Sequence, residues 1–277
     1  LLLLTLTDDN IAAMLQHVAH PTQTLIRAVA KHGLDGYAVR CFMFGEMDPG
    51  AAYLSKISWD LEADPDEVLR CRLEAICGMA AAKPALKGLN LLDTLTALNL
   101  TWFVFGFPVP SMMASQFRSG SIPSDKMQTV LNRYEQILPH FQAAFEASSP
   151  GGKEYIGYFL RRCEFIVELL PVCCLVGEWG RRHRDFLDAR QQLKVHEAYT
   201  ISQDVMRIGH EARDQAKHAM QIFAGIVRDG TDRGLFAAMN RYIYQYIEGQ
   251  LLVLETDLNM WSVRGEAVSQ AIQTPPG

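Results

Sequence analysis

One stretch constrains this chain more than any other: Tyr37-Ala38-Val39-Arg40-Cys41-Phe42-Met43-Phe44. It is aromatic and β-branched, and Gly36 and Gly45 bound it, so it reads as a strand in a sequence that otherwise reads helical. A lone strand leaves its edge N–H and C=O groups unpaired and does not persist. Helical periodicity elsewhere supplies no pairing partner, so the expectation is that the neighbouring strands precede Leu1. The apolar start Leu1–Leu4 fits that view. No Met opens it, no basic segment precedes it, and Asp8 and Asp9 end it too early for a signal peptide or membrane span.

The remaining segments are placed by period and caps. Residues 8–32 read as helix, capped by Asp8 or Asp9 and interrupted at Pro21, with a second piece from Thr22 to His32 ended by Gly33. Gly45 to Gly50 reads as a loop by composition, and helix resumes from Ala51 to about Trp59. Asp64-Pro65-Asp66-Glu67 is a strong helix start. Further helices are expected at about 65–78, 83–105, 124–147, 151–178, 181–227 and 231–262, with kinks at Pro139 and Pro171.

Composition narrows the classes. Over 277 residues, 49% hydrophobic and 21% charged describe an ordinary globular chain able to bury a core. A net charge of −5 offers no basic field for nucleic acid. The run Arg181-Arg182-His183-Arg184 is followed by Asp185 and Asp188 and reads as a solvated helix face. The six cysteines form no CxxC and no Cys/His zinc spacing; they read as buried free thiols, which points to the cytoplasm. His210, Glu211, Asp214 and His218 lack the Glu-x-x-His offset of carboxylate-bridged metal bundles, so neither metal nor cofactor is expected.

The stretch from Gly36 through Glu46-Met47-Asp48-Pro49, then Ala52-Tyr53-Leu54-Ser55-Lys56-Ile57-Ser58-Trp59-Asp60 and Ala63-Asp64-Pro65-Asp66-Glu67-Val68-Leu69, resembles a junction in bacterial glycoside hydrolases. It is similar to the end of the catalytic barrel in hexosaminidase-like and alpha-glucuronidase-like proteins, where the last strand and helix lead into an all-helical domain. The resemblance covers about residues 33–80. It implies a carbohydrate substrate for the parent protein, with the paired catalytic carboxylates on earlier strands.

Candidate contact residues follow from that junction. Glu46 and Asp48, just after the strand, would stand at the catalytic face of a barrel, where they could bind sugar hydroxyls; loop capping is the bland alternative. Glycoside hydrolysis needs two carboxyl groups astride the bond, a placement that two residues of one tight loop rarely achieve. Arg40 would point into the barrel or onto the helix layer, where a buried guanidinium needs a carboxylate. Tyr53, Trp59, Trp102, Trp179 and Trp261 could stack on sugars, although aromatics at helical spacing are usually core.

The expectation is a mainly α fold: a helical bundle preceded by a strand–helix remnant of a (β/α) barrel. Residues 1–60 would end the barrel, 61–265 form the helical domain and 266–277 a disordered tail. The helical part would support the barrel and one rim of its cleft, with a role in homodimer formation and no catalysis of its own. The competing class is a self-contained helical interaction module docking partners through the Phe107–Met113 loop or a helix groove. No membrane partner is expected.

Overall fold

A computed structural model of the chain describes residues 2–5, 14–34, 36–40, 44–99, 112–120 and 124–273. The fold is mainly helical. Contacts divide it into two compact units, formed by the described parts of 1–108, 125–167 and 221–238, and of 109–124, 168–220 and 239–277. This division does not fall at residue 60.

In the first unit, strand β1 (Leu2–Thr5) pairs in parallel with β2 (Tyr37–Arg40), in the register Leu2↔Tyr37 to Thr5↔Arg40. Helix α1 (Ala19–Lys31) makes the crossover that parallel strands require. This corrects one expectation: β2 has a partner within the chain, four residues that apolarity alone had marked only as a cut edge. Of the rest of the expected strand, residues 41–43 lie outside the described residues, as do 6–13, and Phe44 is helical instead.

Residues 14–18 are not helical, and α1 starts later than residue 8. Pro21 does not break it, because it falls in the first turn, where an N–H has no intrahelical acceptor. The end is as read. Gly33 takes φ +64°, with its N–H bonded to Ala30 O and that of Leu34 to Val29 O, a Schellman closure.

The expected loop Gly45–Gly50 is instead the opening of helix α2 (Phe44–Ile57), with Pro49 inside it. Glycines, an aspartate and a proline in six residues read as breakers. Burial of Met47, Gly50, Tyr53, Leu54 and Ile57 along one helical stripe outweighs the hydrogen bond that Pro49 removes. Helix α3 (Pro65–Cys77) starts as expected, with Asp64 accepting from the Glu67 N–H at 2.9 Å. Helix α4 spans Met79–Asn99. Ala19, Ile26, Met47, Tyr53, Leu54, Ile57, Ala63 and Leu69 form one core, against which Tyr37, Val39 and Leu86 pack. Strand layer and helices therefore share a core on both sides of residue 60.

Helix α5 is Met112–Ser119, α6 Ser124–Ala147, α7 Pro150–Gln191 and α8 Val195–Ala224. Pro139 and Pro171 lie inside α6 and α7, which continue through them. Helix α7 belongs to the first unit up to Val167 and to the second from Glu168. The break expected near residue 180 is corrected to 192–194. Gly180 is there for close packing, since a methyl group at it would overlap the Phe117 carbonyl. The real turn uses Leu193 at φ +57°, where glycine is usual, and so carries no breaker signal.

In the second unit Trp179 is fully buried against Phe117, with ring centroids 4.8 Å apart. Helix α9 (Gly230–Met239), a π-helical turn (Asn240–Tyr244) and helix α10 (Gln245–Gln273) follow, so regular structure runs past residue 266. Cys77, Cys163 and Cys173 are buried, Cys71 and Cys174 are exposed, and all five are free thiols; Cys41 lies outside the described residues. No helix among the described residues is long and apolar enough to cross a membrane.

The α6–α7 connection generates a test. A methyl group at Gly152 would stand 2.5 Å from Cys77 Cα, whereas one at Gly151 meets nothing. Gly152→Ala should cost about 1–3 kcal/mol in urea unfolding, and Gly151→Ala should be neutral or stabilise by up to about 1 kcal/mol.

Candidate functional site

The segments that follow both strands converge on Glu46. It lies in the first turn of α2, where a carboxylate complements the helix dipole, and it is 1% exposed. Its Oε1 accepts the Gln16 N–H at 2.9 Å, from the segment returning after β1. Its Oε2 accepts from Arg162 Nη2 on α7, also at 2.9 Å, and neither side chain of this ion pair is exposed. Burial alone would lower the Arg162 pKa; the Glu46 charge, aided by Tyr158 and the hydrogen bond that Arg162 donates to Glu46, outweighs it, so the guanidinium is held above its usual range. Beneath the pair, Tyr134 on α6 donates its hydroxyl to Leu15 O at 2.7 Å.

One turn before Arg162, Tyr158 is 3% exposed, and the Arg228 guanidinium lies 3.8 Å from its ring centroid. Asp232, itself buried, accepts the Arg228 backbone N–H at 3.1 Å and stands 3.5 Å from Arg228 Nε. Gly45 permits this packing: a side chain there would overlap the guanidinium.

Asp48 faces Arg72 on α3 and Tyr155 on α7. Arg72 donates from Nε at 2.8 Å and also from Nη2, and the Tyr155 hydroxyl donates at 2.7 Å. Burial, then the Asp48 charge, pushes the Tyr155 pKa up and keeps the hydroxyl a donor. Arg40 is the last residue of β2, opposite Thr5. Tyr53 has no exposed surface, and its hydroxyl donates to Ala63 O at 3.1 Å. Of the four contact candidates, Glu46 and Asp48 are therefore brought to one helix, each held by an arginine, and Tyr53 is core. Trp59 is 91% exposed, Trp179 is core, and Trp102 and the Trp261 side chain lie outside what is described. Residues 107–111 of the expected docking loop also lie outside it, and Met113 is buried in α5.

A second polar cluster closes the start of α1. Val18 at the N-cap makes no side-chain cap, and α4 supplies one in trans. The His20 N–H bonds Asp93 Oδ2 at 2.9 Å, the His20 ring Nδ1 meets the same oxygen at 2.5 Å, and the His17 N–H bonds Thr96 Oγ1 at 3.2 Å. His20 Nε2 stands 3.7 Å from Asp66. His17 is buried: it is 3% exposed, and burial, with the neighbouring His20, lowers its pKa to about 3. Among the described residues no group of three or more His, Cys, Asp or Glu could hold a metal ion; His210 instead meets Glu255 at 3.3 Å.

Arg162, Tyr158, Arg228, Arg72, Tyr155 and Asp93 were not anticipated. Arg162 alone had a legible signal. Tyr158, Phe159, Phe165 and Ile166 surround it at helical spacing, which puts a charge on an apolar face. Comparison with family models, with curated proteins and with solved structures finds no match to this chain.

Truncating Glu46 to Ala strands a buried guanidinium and should destabilise the chain by roughly 3–5 kcal/mol in denaturant unfolding. Acid should also weaken the fold through His17. Folded His17 takes its proton only near pH 3 and the unfolded residue near 6.5, so between these values the unfolded state binds more protons. Stability should therefore fall as pH drops below about 6.5, by up to about 1.4 kcal/mol per pH unit from this residue. The measurement is unfolding midpoint against pH; His17→Met should flatten the acid limb.

Proposed function

We propose that this chain is the C-terminal helical part of a carbohydrate-active, glycoside hydrolase-like protein, in which it supports the end of a (β/α) barrel and one rim of its cleft. The observation that carries the reading is the buried Glu46–Arg162 pair, which ties the segment after β2 to a helix beyond the expected barrel end. In barrels the loops after the strands build the catalytic face, so a brace at this point would hold the rim. The parallel β1–α1–β2–α2 succession suits the last units of such a barrel, and the junction words of residues 36–69 favour this family. Glu46 and Asp48 are each engaged by an arginine, which suits positioning better than proton transfer. The paired catalytic carboxylates belong to preceding strands. The free thiols favour a cytoplasmic setting.

The test is a screen of the parent-length protein on aryl glycosides, with residues 1–277 alone as a control. The parent should turn over at least one substrate and the control none; a control as active as the parent refutes the supporting role. In the parent, Glu46→Gln should lower activity only in step with the fraction folded. A loss of more than about a hundredfold at unchanged Tm would make Glu46 catalytic instead.

A further inference from the structure

Beside the brace, the first turn of α2 is flanked by polar groups whose donors are not consumed among the described residues. The Tyr158 hydroxyl is buried and has no hydrogen-bond partner among the described residues. A Cβ placed on Gly45 would lie 3.1 Å from Tyr158 Cζ, the carbon that bears this hydroxyl, so the hydroxyl sits at the opening turn of a 14-residue helix. Arg228 covers the same spot. Its guanidinium lies over the Tyr158 ring and against Gly45, and its side chain is 32% exposed. Among the described residues only Nε of that guanidinium approaches a carboxylate, Asp232 at 3.5 Å, an oxygen already taken by the Arg228 backbone N–H.

Four charges surround the hydroxyl, and they balance. Arg162 is committed to Glu46, and Asp232 anchors the backbone at residue 228. What remains are donors: a phenolic O–H, the outer N–H groups of Arg228 and the N-terminal end of a helix dipole. A water molecule can use some of these but offers no charge, whereas an oxyanion accepts from all of them and complements the dipole.

We infer that these groups bind an oxyanion, the carboxylate or phosphate group of a small ligand, held by Arg228 and Tyr158 at the start of α2. The glycine at position 45 is then part of the site, since a side chain there would displace the Arg228 guanidinium. The inference stands on this geometry and does not depend on the carbohydrate reading.

Residues 1–277 are titrated with inorganic phosphate and, separately, with sodium acetate, at ionic strength held constant with chloride, while Tm is followed. At least one anion should raise Tm by about 2 °C or more at saturation. Phosphate alone would identify a phosphate ligand, acetate alone a carboxylate. In Tyr158→Phe the half-saturating concentration should rise several-fold, and in Arg228→Gln the response should vanish. Tyr158→Phe loses no hydrogen bond within the protein, so in chloride it should melt no lower than wild type, which keeps the test intact if Arg228→Gln does not fold. An absence of response beyond the chloride control, or an undiminished response in Tyr158→Phe, overturns the site.

Discussion

The buried Glu46–Arg162 ion pair is the constraint around which the first unit is arranged. Taking both charges out of water is costly, and only close geometry with further hydrogen bonds makes the arrangement tolerable. Glu46 meets this demand through three devices. It sits in the first turn of a helix, accepts a backbone N–H from Gln16, and faces a guanidinium that its charge keeps protonated. Each device brings in a different segment, so α2, the segment after β1 and α7 are fixed by one carboxylate. Such a pair specifies position more than it adds stability, which suits a junction.

The same economy recurs at the start of α1. A helix that opens on Val18 has no cap of its own, and Asp93 and Thr96 of α4 replace it. Asp93 also holds the His20 ring, so one buried carboxylate serves a backbone N–H and an imidazole. Burial pushes the Asp93 pKa up, and the hydrogen bonds from His20 oppose that shift. These polar contacts join segments distant in sequence, whereas the apolar core formed by Ile26, Tyr53, Leu54 and Leu69 fills the space between them.

Much of the helical architecture was legible. The Asp64-Pro65 start, the ends of α6 and the Gly33 closure follow from local chemistry, because caps and prolines act on their immediate neighbours. The misreadings share one cause. Glycine and proline were read as a loop at Gly45–Gly50 and a helix was ended near residue 180, whereas Gly45 and Gly180 serve close packing inside helices. The turn at Leu193 carried no breaker at all. Of the site, Glu46 and Asp48 were visible as carboxylates after a strand, but their arginines were not, since nothing local links residue 46 to 162 or 48 to 72.

What the chain determined by itself is therefore its helical character, the Asp64 cap, the Gly33 closure and the existence of a strand at Tyr37–Arg40, all set by interactions within a few residues. Tertiary structure decided the pairing of that strand with Leu2–Thr5, the helical state of Gly45–Gly50 and the partners of every buried charge. The reason is physical: desolvation and close packing depend on which distant surfaces meet, and residue type at one position cannot encode that alone.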